Sequence, residues 1–112
     1  MTRTPRGHRL LPHTADCIIE AWGPDRAACV SEALEALVEE FAEIEDPPST
    51  RLLPLSSGPG GAEEVLVSVL EEVIYTLDVF SVIPVRFHLC DTAGGGVSGD
   101  MEVIPVSEAR IV

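Results

Sequence analysis

Between Asp16 and Trp22 the side chains alternate. Cys17, Ile19 and Ala21 fall on one face and Asp16, Ile18, Glu20 and Trp22 on the other, the period of two that marks a β-strand. Gly23-Pro24 stops the strand, and Asp25 can accept a hydrogen bond from the free amides of a following helix. Val30, Ala33, Leu34, Leu37, Val38 and Phe41 then recur at the i, i+3, i+4, i+7 spacing of one buried helical stripe, which Asp46-Pro47-Pro48 brings to an end. Residues 51–55 read as a short extended piece. Pro54 supplies no backbone donor and confines it to an edge or a bulge.

After the loop Gly58-Pro59-Gly60-Gly61, residues 62–78 carry a second helical stripe of Leu66, Val69, Leu70, Val73 and Leu77, with Glu63 and Glu64 in the first turn, where the helix dipole favours them. The many valines of this segment also permit a strand. From Val82 to Cys90 the period returns to two, with Val85, Phe87 and Leu89 opposed to Arg86 and His88. Asp91-Thr92-Ala93-Gly94-Gly95-Gly96 forms a hairpin loop towards Val97 and residues 101–106. The order strand, helix, strand, helix, strand, strand predicts an α+β fold: a two-layer sandwich in which two amphipathic helices cover one face of a mixed, mostly antiparallel sheet. The apolar tail Ala109-Arg110-Ile111-Val112 reads as a strand at an open sheet edge, so the chain is expected as a monomer or an edge-paired dimer.

Composition narrows the function. A chain of 112 residues has room for one domain, residues 1–112. Its formal charge of -12 comes from 19 acidic against 7 basic residues, all of the latter arginine. Direct binding to nucleic acid is not expected, because that contact runs on clustered basic side chains; basic partners, cations or solubility fit better. No apolar run approaches the roughly 20 residues needed to span a bilayer, and the opening residues lack a secretion signal, so a cytoplasmic location without membrane contact is expected. Cys17, Cys29 and Cys90 follow no ligand or disulfide spacing and read as small buried hydrophobes.

Candidate chemistry is sparse. No nucleophile elbow, phosphate loop or dinucleotide fingerprint occurs, and the chain does not read as an enzyme. His8 lies in an arginine-flanked start read as mobile, and His88 reads as a half-exposed strand residue opposite Phe87. At the strand entrance His13, Thr14 and Asp16 stand close together. Thr14 and Asp16 can satisfy backbone amides of the turn, or Asp16 can serve as a hard oxygen ligand for a divalent cation with help from other groups. Glu32, Glu35, Glu39 and Glu40, with Glu71 and Glu72, form acidic helix faces. Like charges at i, i+3 and i+7 cost a few tenths of a kcal/mol per pair, so stability alone does not favour them. They read as a solvated surface or as a docking face for a basic partner.

Three stretches together resemble the archease family: HTADCIIEAWGPDRAACVSEAL from His13 to Leu34, LEEVIYTLD from Leu70 to Asp78, and VSGDMEV from Val97 to Val103. The resemblance implies a small α+β accessory protein, not itself a catalyst. Such a protein promotes guanylylation and multiple turnover of the GTP-dependent RNA ligase that joins tRNA halves, and it holds a divalent metal, calcium by expectation, on acidic residues. By motif match Asp16 inherits the metal-ligand role, and His13 and Thr14 inherit membership of the signature. Archeases continue into a further strand with a lysine- and histidine-bearing motif and a terminal aspartate that shares the metal. Without these residues, weakened metal binding and an exposed edge are expected here. Two other readings compete: an acidic interaction or chaperone module for another basic RNA-processing enzyme, and a metal-dependent hydrolase requiring His13, Asp16 and His88 to converge.

Overall fold

In the computed structural model, which describes residues 5–11, 18–43 and 51–111, the chain runs β1 (Gly7–Leu11), β2 (Ile18–Trp22), α1 (Arg26–Phe41), β3 (Ala42–Glu43), β4 (Arg51–Ser56), α2 (Ala62–Phe80), β5 (Val82–Asp91), β6 (Val97–Pro105) and β7 (Arg110–Ile111). Every described strand pair is antiparallel: β1 with β2, β3 with β7, and a three-stranded sheet in the order β4-β6-β5. The α+β class is as predicted. Of the edge or bulge that Pro54 allowed, β4 takes the edge, with Pro54 opposite Asp100. A second proline, Pro84, sits in the other edge strand, and there the register slips by one residue between Pro84 and Arg86. The hairpin from β5 to β6 turns through Gly94 and Gly95, whose φ of 76° and 89° lies in the left-handed region that side chains disfavour.

Helix α1 starts where the sequence placed it. The Asp25 carboxylate accepts from the Ala28 amide at 2.8 Å, and Asp91, at the far end of β5, accepts from the Ala27 amide at 3.0 Å, so two carboxylates meet the positive end of the helix. Arg26 donates to the carbonyls of Gly60 and Gly95 at 2.8 and 2.9 Å, tying the same end to both glycine loops. Ala27, Val30, Leu34 and Val38 face a core shared with Val69 and Val73 of α2 and with Phe87, Met101 and Val103 of the sheet.

Several expectations are corrected. The segment containing His8 is strand β1, held by its ladder to β2 and by packing on α1, where a mobile start was expected. Helix α1 ends at Phe41, before the Asp46-Pro47-Pro48 stop, and residues 42–43 form the partner strand of Arg110–Ile111 in the apolar tail, which is the strand expected there. Residues 62–80 are helical throughout, so the strand alternative falls. The buried line of α2 is Val65, Val69, Val73 and Thr76, with Leu66, Leu70 and Leu77 only partly covered, a rotation of about one residue from the predicted stripe. The Thr76 hydroxyl donates to the Glu72 carbonyl at 2.8 Å, which lets a polar residue occupy that line. Cys90 is exposed and Cys29 half-buried, because Cys90 sits near the end of an edge strand. No described helix is long and apolar enough to cross a membrane.

Candidate functional site

The spacing of Glu32, Glu35 and Glu39 places three carboxylates along one side of α1, and strand β1 with Arg6 just before it brings two cations to them. Arg6 donates from Nε to Glu32 Oε2 at 2.7 Å. The imidazole of His8 lies between two glutamates, Nδ1 at 2.7 Å from Glu32 Oε1 and Nε2 at 2.9 Å from Glu39 Oε2. Both acceptors are carboxylates, so the ring satisfies them only by donating from both nitrogens, that is, as an imidazolium. Glu32 is 8% exposed, a buried carboxylate stabilised by two cations from another element. The expectation of a solvated face is therefore wrong for Glu32. The destabilising like-charge stripe of the isolated helix becomes a stabilising clasp once β1 packs on it.

The titration behaviour follows from this geometry. Burial opposes charge on His8, but the hydrogen bonds and charges of Glu39 and Glu32 outweigh it and raise its pKa above 6.5. Burial likewise opposes ionisation of Glu32, and His8 with Arg6 overcomes it and holds the carboxyl below 4.5. Glu35 goes the other way: burial first, and then the charge of Glu32, push it above 4.5.

Ligating atoms of His8, Glu32 and Glu35 lie within 4.8 Å of one another, the spacing of a possible metal centre. The donor set does not fit calcium, which takes six to eight oxygens. This group offers one nitrogen and two carboxylates, and Glu32 is already neutralised by an arginine and an imidazolium. Its chemistry is that of an ion-pair clasp joining β1 to α1.

Residues His13, Thr14 and Asp16, singled out in the sequence, lie outside the described residues. His88 is exposed, as expected, and bonds Glu102 across β5 and β6 at 2.6 Å, with Arg86 3.8 Å from the same carboxylate. Sequence reasoning missed His8 and Arg6. The available signal was the stripe of like charges at Glu32, Glu35 and Glu39 with no basic residue in α1 after Arg26 at its start, an arrangement that calls for cations from another element.

The model of the archease protein family matches residues 8–111. Two curated relatives named "Probable protein archease", from Mycobacterium tuberculosis strains CDC 1551 / Oshkosh and ATCC 25618 / H37Rv, are each 45% identical over 94 residues, covering 82% of this chain and 51% of their own length. The chain thus spans about half the length of the curated relatives it matches. No solved structure matches it significantly.

Proposed function

The chain belongs to the archease family, and from that premise we propose that it is an accessory protein that activates a GTP-dependent tRNA-splicing RNA ligase, promoting its guanylylation and repeated turnover. The observation that carries this reading is the family match across residues 8–111. The charge of -12 supports it, because an enzyme that handles a nucleotide and RNA presents basic surfaces. Complementary fields then speed encounter and set the register of docking more than they add affinity. In this reading Asp16 contributes a carboxylate to a divalent cation, calcium by expectation, next to His13 and Thr14 of the same signature. The clasp of His8, Arg6, Glu32 and Glu39 supports β1 from α1.

The test is ligase guanylylation followed over several turnovers with GTP and a divalent metal, for the cognate ligase alone, with this chain, and with its Asp16→Ala form. Acceleration by the chain, reduced tenfold or more by the substitution, is the expected result. Acceleration that survives Asp16→Ala would remove Asp16 from the mechanism and favour a diffuse acidic docking face. A ligase that turns over identically with and without the chain would sink the proposal.

A further inference from the structure

Helix α2 carries five acids, Glu63, Glu64, Glu71, Glu72 and Asp78, and no basic residue. Its buried line of Val65, Val69, Val73 and Thr76 faces the core. The opposite side holds Val67, Ile74, Tyr75 and Val79, which are 48%, 63%, 58% and 52% exposed. At 100° per residue Val67, Glu71, Ile74 and Asp78 fall in one strip, flanked by Tyr75 and Val79. The outer face is therefore an apolar strip set among carboxylates, with an open groove beside it lined by Glu63, Glu64, Val67, Ser68 and Glu71.

Valine, isoleucine and tyrosine are weaker helix formers than alanine, leucine or glutamate, and on this face about half of each side chain stays in water, so burial offsets little of that cost. Clustered exposed apolar side chains rimmed by charge are the anatomy of an interface. Charge then selects the occupant. A second copy of α2 would set five acids against five, and a nucleic acid or an anionic bilayer would be repelled in the same way. We infer that the outer face of α2 docks a basic protein surface, one that presents apolar anchors to Ile74 and Tyr75 and arginine or lysine to the flanking carboxylates. Identifying that surface as part of the ligase rests on the accessory function proposed above.

The experiment measures affinity of the full chain for the cognate ligase across a salt series, alongside guanylylation. Three double variants are compared with the parent: Ile74→Ser with Tyr75→Ser, Glu71→Gln with Glu72→Gln, and Glu40→Gln with Glu108→Gln as a control that removes two exposed charges elsewhere. The exposed positions leave the fold intact, which is checked by thermal midpoint. Tenfold or greater weakening by the first two pairs is expected, the charge pair losing its effect as salt rises, with the control within twofold of the parent. If the chain activates the ligase and both α2 pairs bind within twofold of the parent, the inference is overturned while the accessory function stands.

If the chain neither binds nor activates the ligase, the accessory function fails and an arginine- and leucine-rich amphipathic peptide decides the inference. Amide shifts concentrated over residues 63–79, and lost in the Ile74/Tyr75 pair, keep it. Shifts elsewhere, or none, overturn it.

Discussion

His8 shows how much one side chain depends on its partners. Its raised pKa means that the folded state holds the proton more tightly than the unfolded chain, so its contribution to stability is complete below about pH 6.5 and is lost as pH rises through the folded value. Glu32 has the opposite sign: its depressed pKa gives a contribution that is complete above about 4.5 and is lost as pH falls through the folded value. The clasp is thus strongest between these two ordinary values, while Glu35, raised by burial and by Glu32, works against it as pH climbs past 4.5. The expected outcome for His8→Gln is a loss of about 1 to 2 kcal/mol near pH 6, the scale of a charge-assisted hydrogen bond. The decline in thermal midpoint from pH 6 to 8 should flatten with it, and parallel midpoint curves for the two proteins would count against the clasp. The glutamate stripe signalled a need for cations, but not which ones, since a histidine between arginines carries no local sign of the carboxylates 24 and 31 residues away. Asp25 was legible, because its partner lies three residues ahead in the chain.

At the scale of elements, Gly99 in the central strand β6 is the most closely approached of the glycines. A Cβ on Gly99 would run into the carbonyl oxygen of His88 on the neighbouring strand, whereas one on Gly58 would meet nothing within 4 Å. Gly99→Ala is expected to cost about 3 kcal/mol, because a backbone atom inside a ladder cannot move aside as a side chain can. Gly58→Ala should stay within about 0.5 kcal/mol, and chemical denaturation of the two variants checks both. Equal stabilities would mean that β6 is looser than its ladder implies. The elements with strong internal periodicity, α1, α2 and β5, could be read directly. Strand β1 could not: it alternates poorly, with Gly7 and His8 half-buried and Arg9 and Leu10 exposed, and exists through pairing with β2 and packing on α1. The rotation of the α2 stripe has a similar cause, since its apolar residues surround most of the helix and only packing selects the line that is covered.

For the molecule as a whole, charge is the dominant constraint. With 19 acidic residues against 7 arginines, self-repulsion opposes the compact state. Raising ionic strength from about 0.01 M, where the Debye length is about 30 Å, to about 0.15 M, where it is about 8 Å, should raise the thermal midpoint. A fall instead would mean that pairs such as Arg6 with Glu32 and Arg9 with Glu20 outweigh the net repulsion. Taken alone, the sequence determined the α+β class, both helices, the confinement of Pro54 to an edge or a bulge, the Asp25 cap and the family, because each is written in neighbouring residues or in short motifs. Only the tertiary structure decided that Glu32 is buried, that His8 and Arg6 neutralise it, that the tail pairs with residues 42–43, and that α2 turns Ile74 and Tyr75 outward. These are contacts between segments far apart in the chain. Local periodicity records which residues can share a face, and the free energy of packing that face against a distant element settles what it meets.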